Sequence, residues 1–255
     1  MLLPLPAKAL SVCADPDYLP YSNRAGAGFE NKIAEAVAKA LGEPLEYTWA
    51  SHRAHGGFTQ FLSSTLDAKK CDVVMSIPYA SREELTTRPY YISSYVFVSD
   101  KSKKYDLTSM DSPALKRLKL GFERDTPAED ALKMRGMLPG TGPGSVVPFD
   151  VSDEGSESPE TMLRALKDGK IDVLITWLPA IGGFLRGYPD FEIVTIPNTR
   201  ALGAPEQYSF PMSMGVREGN DALKKKLDEV IERHQPELTA ILTSNGVLPN
   251  TPGLR

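Results

Sequence analysis

Between Leu10 and Trp49 the chain passes from a short apolar run to a helical period and back to an apolar run, and this alternation restricts it to few folds. LSVCA at 10–14 has the length of a buried strand. GFE at 28–30 opens a segment in which Ile33, Val37, Ala40 and Leu41 recur at helical spacing, and Gly42 closes it. LEYTW at 45–49 and CDVVMSI at 71–77 read as two further strands. Strands alternating with helices of this length predict a parallel sheet with right-handed crossovers. Ligands of such sheets bind beyond the carboxyl ends of the strands, so 15–21 and 76–79 are expected to edge a cleft.

With 255 residues, 41% hydrophobic and 24% charged, the chain has apolar material for two modest cores. No segment has the apolar length needed to span a bilayer. A formal charge of -4, with Lys and Arg scattered, weighs against a nucleic-acid partner. The opening MLLPLPAKA is too short and too proline-rich for a complete secretory signal; it reads as a signal's remnant or an added start. Cys13 and Cys71 fall on neighbouring strands, which favours a disulfide in an oxidising compartment. Their register opposes it, since Cys13 lies near the carboxyl end of its strand and Cys71 opens its own. As free thiols they read as small buried hydrophobes, and both readings stand.

Beyond Val98 the pattern restarts. A strand is expected at 115–122, then a helix whose start, DTPAED at 125–130, has proline in the first turn and acids facing the helix dipole. A loop with a short strand follows at 138–148, an acidic turn at 150–158, a helix at 159–168 and a strand at 171–176. A short helix ending near Gly187 and a strand at 191–196 complete this part. The strand at 210–216 then leads to an amphipathic helix at 220–233 and a separate short helix at 236–244. Lobe 1 is expected to comprise 1–96 and 213–255, and lobe 2 97–212. The hinge residues are then Tyr95, Val96, Phe97, Val98, Phe210, Pro211 and Met212.

DPDYLPY at 15–21, GFE at 28–30, PYY at 89–91 and GKIDV at 169–173 resemble the periplasmic solute-binding proteins that serve polar amino acid importers. More narrowly, CADPDYLPYSNRAGAGFENKIA, KCDVVM, TTRPYY and SSYVFV are similar to the MxaJ/XoxJ-type proteins of methanol dehydrogenase operons. The resemblance implies a type II periplasmic-binding-protein clamshell, two α/β lobes joined by a two-strand hinge. It also implies a periplasmic location and a protein partner, a methanol dehydrogenase dependent on pyrroloquinoline quinone (PQQ), which the chain engages during maturation or activation. No cofactor of its own is implied.

An amino-acid receptor of this fold needs an arginine fork for the ligand carboxylate and an acid for its ammonium group. Arg82 lies closer to Pro89 than the family pattern places its arginine, and Arg88 is a poor substitute. Where the family keeps an acid after the threonine ending a strand, this chain reads Thr176-Trp177-Leu178. A buried unpaired ammonium costs several kcal/mol, so a standard amino acid is not the expected ligand. Asp15 and Ser76 are cleft candidates, Asp15 more readily as the cap of a turn. Tyr18 stacks on a ligand or covers the lobe edge. Asp125 and Thr126 stand at a helix start, where backbone donors meet an anion or the threonine simply caps. Trp177 is a core aromatic or an interface anchor. His52 and His55 lack further metal ligands and read as a solvated loop before helix-breaking Gly56-Gly57. No nucleophile with its base, carboxylate pair or metal set is legible, so catalysis is not expected. The competing reading is an importer receptor for a small neutral or aromatic solute.

Overall fold

The computed structural model describes residues 9–81, 84–140, 142–151 and 158–247. The chain divides into two compact units, one formed by the residues up to Ile92 with Pro211–Asn245, the other by Ser93–Phe210 with the residues from Gly246 onward.

In the first unit β1 (Leu10–Ala14) lies between two parallel partners, β4 (Leu45–Trp49) and β5 (Val73–Pro78). The pair β2 (Asp17–Tyr18) and β3 (Ser22–Asn23) forms a small antiparallel ribbon after β1. Helix α1 (Phe29–Leu41) follows, ended by Gly42 at φ 69°, a left-handed conformation that glycine adopts without steric cost. It buries Phe29, Ile33, Ala34 and Val37, and Lys32 Nζ reaches Asn245 Oδ1 at 2.7 Å. Helix α2 (Gly57–Ser64) begins at the second glycine of the pair expected to break a helix. Both glycines hold positive φ there, so the pair opens the helix. The short β6 (Leu85–Thr86) pairs with β12 (Ser209–Val216), which also runs antiparallel to β5. Cys13 and Cys71 are joined in a disulfide, with Cα atoms 5.5 Å apart. Cys13 lies level with Val74, and the register obstacle is overcome because Cys71 precedes the regular strand, where the chain stays against β1 through the Asp72 N–H on the Ser11 carbonyl.

The carboxyl-terminal helix departs from the expected pair. It is one element, α6 (Asp221–Ser244), with Pro236 inside it. Leu227, Val230, Ile231, Leu238 and Leu242 keep one buried stripe on both sides of the proline, and that burial outweighs the hydrogen bond the proline removes.

In the second unit β7 (Tyr91–Asp100) runs antiparallel to β10 (Val173–Trp177) on one side and β11 (Phe191–Thr195) on the other. Parallel partners β8 (Leu120–Glu123) and β9 (Val146–Phe149) extend the sheet beyond β10. The strand expected at 115–122 is shorter: Pro113–Arg117 form a 3-10 turn that buries Leu115, because proline at its start favours a turn. Helices α3 (Pro127–Met134), α4 (Glu160–Lys167) and the short α5 (Leu178–Ile181) cover the sheet. Phe97, Leu120, Phe122, Leu132, Val173 and Ile175 form one core on one face, and Val96, Val98, Met162, Leu163 and Leu174 another on the opposite face. Tyr95, Val96, Phe97 and Val98 are thus buried in this unit's sheet. The tail rejoins this unit at Val247, whose carbonyl accepts from Ser93 Oγ at 2.7 Å. Of the acidic turn at 150–158, residues 152–157 lie outside the described residues.

Candidate functional site

In the first unit the candidates gather where β1, β4 and β5 end. Asp15, 1% exposed, directs both carboxylate oxygens to backbone: Oδ1 accepts from the Asp17 N–H at 2.8 Å and Oδ2 from the His52 N–H at 2.7 Å. Its carbonyl accepts from Ser22 Oγ. The carboxylate therefore ties the loop after β1 to the loop after β4. Tyr18 stacks on Tyr21 with centroids 4.8 Å apart, and the Arg53 guanidinium lies over its ring at 5.4 Å while donating to the Asp17 carbonyl.

His52 is not the solvated residue expected from its neighbours. Its ring packs edge-on against Phe61 at 3.9 Å, with Phe58 and Tyr18 around it, and its Nε2 finds no hydrogen-bond partner among the described residues. Burial lowers its pKa to about 4, despite the opposing pull of Asp15. His55 is exposed, as a loop residue would be.

Ser76, near the carboxyl end of β5, takes positive φ, 53°, and shares a 3.1 Å hydrogen bond with the hydroxyl of fully buried Tyr90. Glu30, in the first turn of α1, is 7% exposed and hydrogen-bonds Ser76; burial lifts its pKa to about 7. Arg88 lies elsewhere. Its backbone N–H meets Asp228 and its guanidinium pairs with Glu232 at 2.8 Å, beside a pocket of about 340 Å³ lined by Tyr79, Thr86 and Lys224. Arg82 lies outside the described residues.

In the second unit β8 and β10 end side by side. Thr176 and Trp177 point to opposite faces of β10. Thr176 is fully buried and its Oγ1 has no partner among the described residues. Trp177 is half-buried against Tyr95 and Phe210, with centroid distances of 5.3 and 5.9 Å. Met212 is buried and Pro211 half-buried in the same strand, β12. At the start of α3 one backbone donor is taken and one is missing. The Asp125 N–H donates to Glu129 Oε2 at 2.7 Å, and Asp125 itself takes positive φ. Pro127, at the first turn, has no N–H. Thr126 is the N-cap residue, yet its hydroxyl turns back to the Glu123 carbonyl at 2.7 Å. Glu123 is buried, and burial lifts its pKa to about 7. Glu30, Tyr90 and Glu123 had not been singled out as candidates. Their position inside apolar stripes was the available signal: Glu30 shares the helical face of Ile33 and Val37.

Residues 10–243 match the bacterial extracellular solute-binding proteins, family 3. The chain belongs to this family. A protein named MoxJ from Methylorubrum extorquens is 32% identical over 94% of this chain and 81% of its own length. A second MoxJ, from Paracoccus denitrificans, is 27% identical over 93% of this chain and 88% of its own. Among solved structures, MxaJ from Methlophaga aminisulfidivorans superposes with a TM-score of 0.79 at 25% identity, covering 93% of this chain and 98% of that one. Periplasmic binding protein XoxJ from Methylobacterium extorquens gives 0.75 at 29% identity, covering 95% and 100%. The chain is thus an MxaJ/XoxJ-type family 3 solute-binding-like protein with the two-lobed α/β clamshell fold of that family. No helix among the described residues is long and apolar enough to cross a membrane.

Proposed function

We propose that this protein is a periplasmic accessory factor of a PQQ-dependent methanol dehydrogenase system, engaging the dehydrogenase during its maturation or activation. It is a solute-binding scaffold turned to a protein partner, and it catalyses no reaction. The observation that carries this reading is Trp177, packed against Tyr95 and Phe210 at the strand end where amino-acid receptors of the family need an acid. The similarity to MoxJ, MxaJ and XoxJ proteins over nearly the whole chain supplies the rest.

The test is to mix the purified chain with the methanol dehydrogenase encoded beside it and measure association and activity, with a deletion strain alongside. Association with a gain in active enzyme is expected; no effect in any of the three rejects the reading. A thermal-shift screen separates it from the importer-receptor alternative, in which the ligand is a small neutral or aromatic solute. A solute at a hundredfold excess over its Kd would add about 2.7 kcal/mol of stability. No amino acid is expected to do so, and calorimetric uptake of one would reject the accessory role.

A further inference from the structure

The cations that look scattered along the sequence are partly collected by the fold of the second unit. Strand register sets Ser99, Val173 and Leu120 side by side on three adjacent strands. The segment after β7, with Lys103 and Lys104, therefore emerges beside the segment before β8, with Lys116, Arg117 and Lys119. Tyr105 lies half-buried between them, packed on the core below, with the carboxylates of Asp100 and Asp172 both near enough to perturb its hydroxyl. None of these Lys or Arg side chains is held in an ion pair among the described residues, and all but Lys119 are exposed. The nearby acids are held mainly by backbone donors and by Lys101, although Asp100 also feels the charge of Lys103. Asp100 accepts from the Ser102 N–H and Asp172 from the Lys119 N–H, while Asp190 pairs with Lys101.

We infer that this end of the second unit, built around Tyr105 and the cations Lys103, Lys104, Lys116, Arg117 and Lys119, docks an acidic face of a partner protein. The inference rests on the accessory reading and adds the surface. Charge complementarity selects the partner: unpaired cations persist here although the chain as a whole is -4. The interleaved Asp100, Asp106, Asp172 and Asp190 select a protein over a nucleic acid or an anionic membrane. A uniform polyanion would meet those carboxylates, whereas a protein surface of mixed sign can match both charges.

The experiment measures association of the methanol dehydrogenase with the full chain, with K104E/K116E, and with K225E, which removes an exposed lysine of α6 in the other unit. Binding of K104E/K116E should weaken about tenfold at low salt and approach the wild type at high salt, while K225E binds as the wild type does. Equal weakening in both variants, or in neither, overturns the docking surface and leaves the accessory role intact. Absence of wild-type binding overturns the docking surface, and only together with no change in activity or in the deletion strain does it overturn the accessory role. Phosphatidylglycerol vesicles and duplex DNA serve as competing probes; capture of either by the wild type and not by K104E/K116E overturns the choice of a protein partner. Unchanged melting of both variants verifies that only surface charge was altered.

Discussion

Glu30 and Glu123 are buried, His52 is half-buried with its Nε2 enclosed, and their pKa values move in opposite senses. Burial raises both carboxyl groups from 4.5 to about 7. Each therefore contributes stability that is fully present below its unfolded pKa and is lost as pH rises through about 7. His52 is lowered from 6.5 to about 4, so its contribution is present above 6.5 and lost as pH falls through 4. Two carboxyl groups oppose one imidazole over most of this window, and the melting temperature should rise on acidification from neutral to about pH 5. A melting series against pH checks this: E30Q/E123Q should flatten the rise, and H52F should remove the loss at the acid end. A wild-type profile that falls steadily from neutral pH would contradict it. Asp15 illustrates what sequence reveals at this scale. Its turn-capping role is legible because Pro16 and Asp17 follow it, but its second oxygen holds His52, which no local pattern links to it.

At the scale of elements, the loop bearing Tyr18 and Tyr21 is locked to the start of α1. The Phe29 N–H donates to the Pro20 carbonyl and the Glu30 N–H to that of Tyr21, satisfying orphan donors of the helix. Gly28 makes this approach possible: a Cβ there would lie 2.0 Å from the Tyr21 oxygen, a backbone atom that cannot step aside. Gly28→Ala should cost about 2–3 kcal/mol in urea unfolding and weaken the near-ultraviolet signal of the Tyr18–Tyr21 stack. Gly42→Ala, where no atom lies within 4 Å, should lose only the cost of its positive φ. The ends of α1 were legible because glycines punctuate them. The continuity of α6 was not, since proline is a strong local stop signal and only the buried stripe against the rest of its unit overrides it.

For the whole molecule, the disulfide closes a loop with a sequence separation of 58 that contains α1, β4 and α2. Chain entropy assigns such a closure about 4 kcal/mol, a large share of the stability of an ordinary domain. The double variant C13S/C71S, or reduction of the wild type, should lower the denaturant midpoint accordingly. An unchanged midpoint would show that packing around Phe61, Leu66 and Ile77 suffices to hold β1 and β5 together.

The sequence by itself determined most of the order of strands and helices, though not α2 or the unbroken α6, together with the parallel core of the first unit and the family, because hydrophobic period, glycine stops and short motifs are local properties of the chain. It also made the absence of an acid beside Thr176 visible. Only the tertiary structure decided which polar groups are enclosed: Glu30 against Ser76, His52 among aromatic rings, Arg88 against Glu232 instead of with Tyr18. The same holds for Cys13 with Cys71 and for the cations gathered at one end of β7, β8 and β10. These pairings join residues far apart in the chain. Burial and strand register set them, and neither is encoded in any short window of residues.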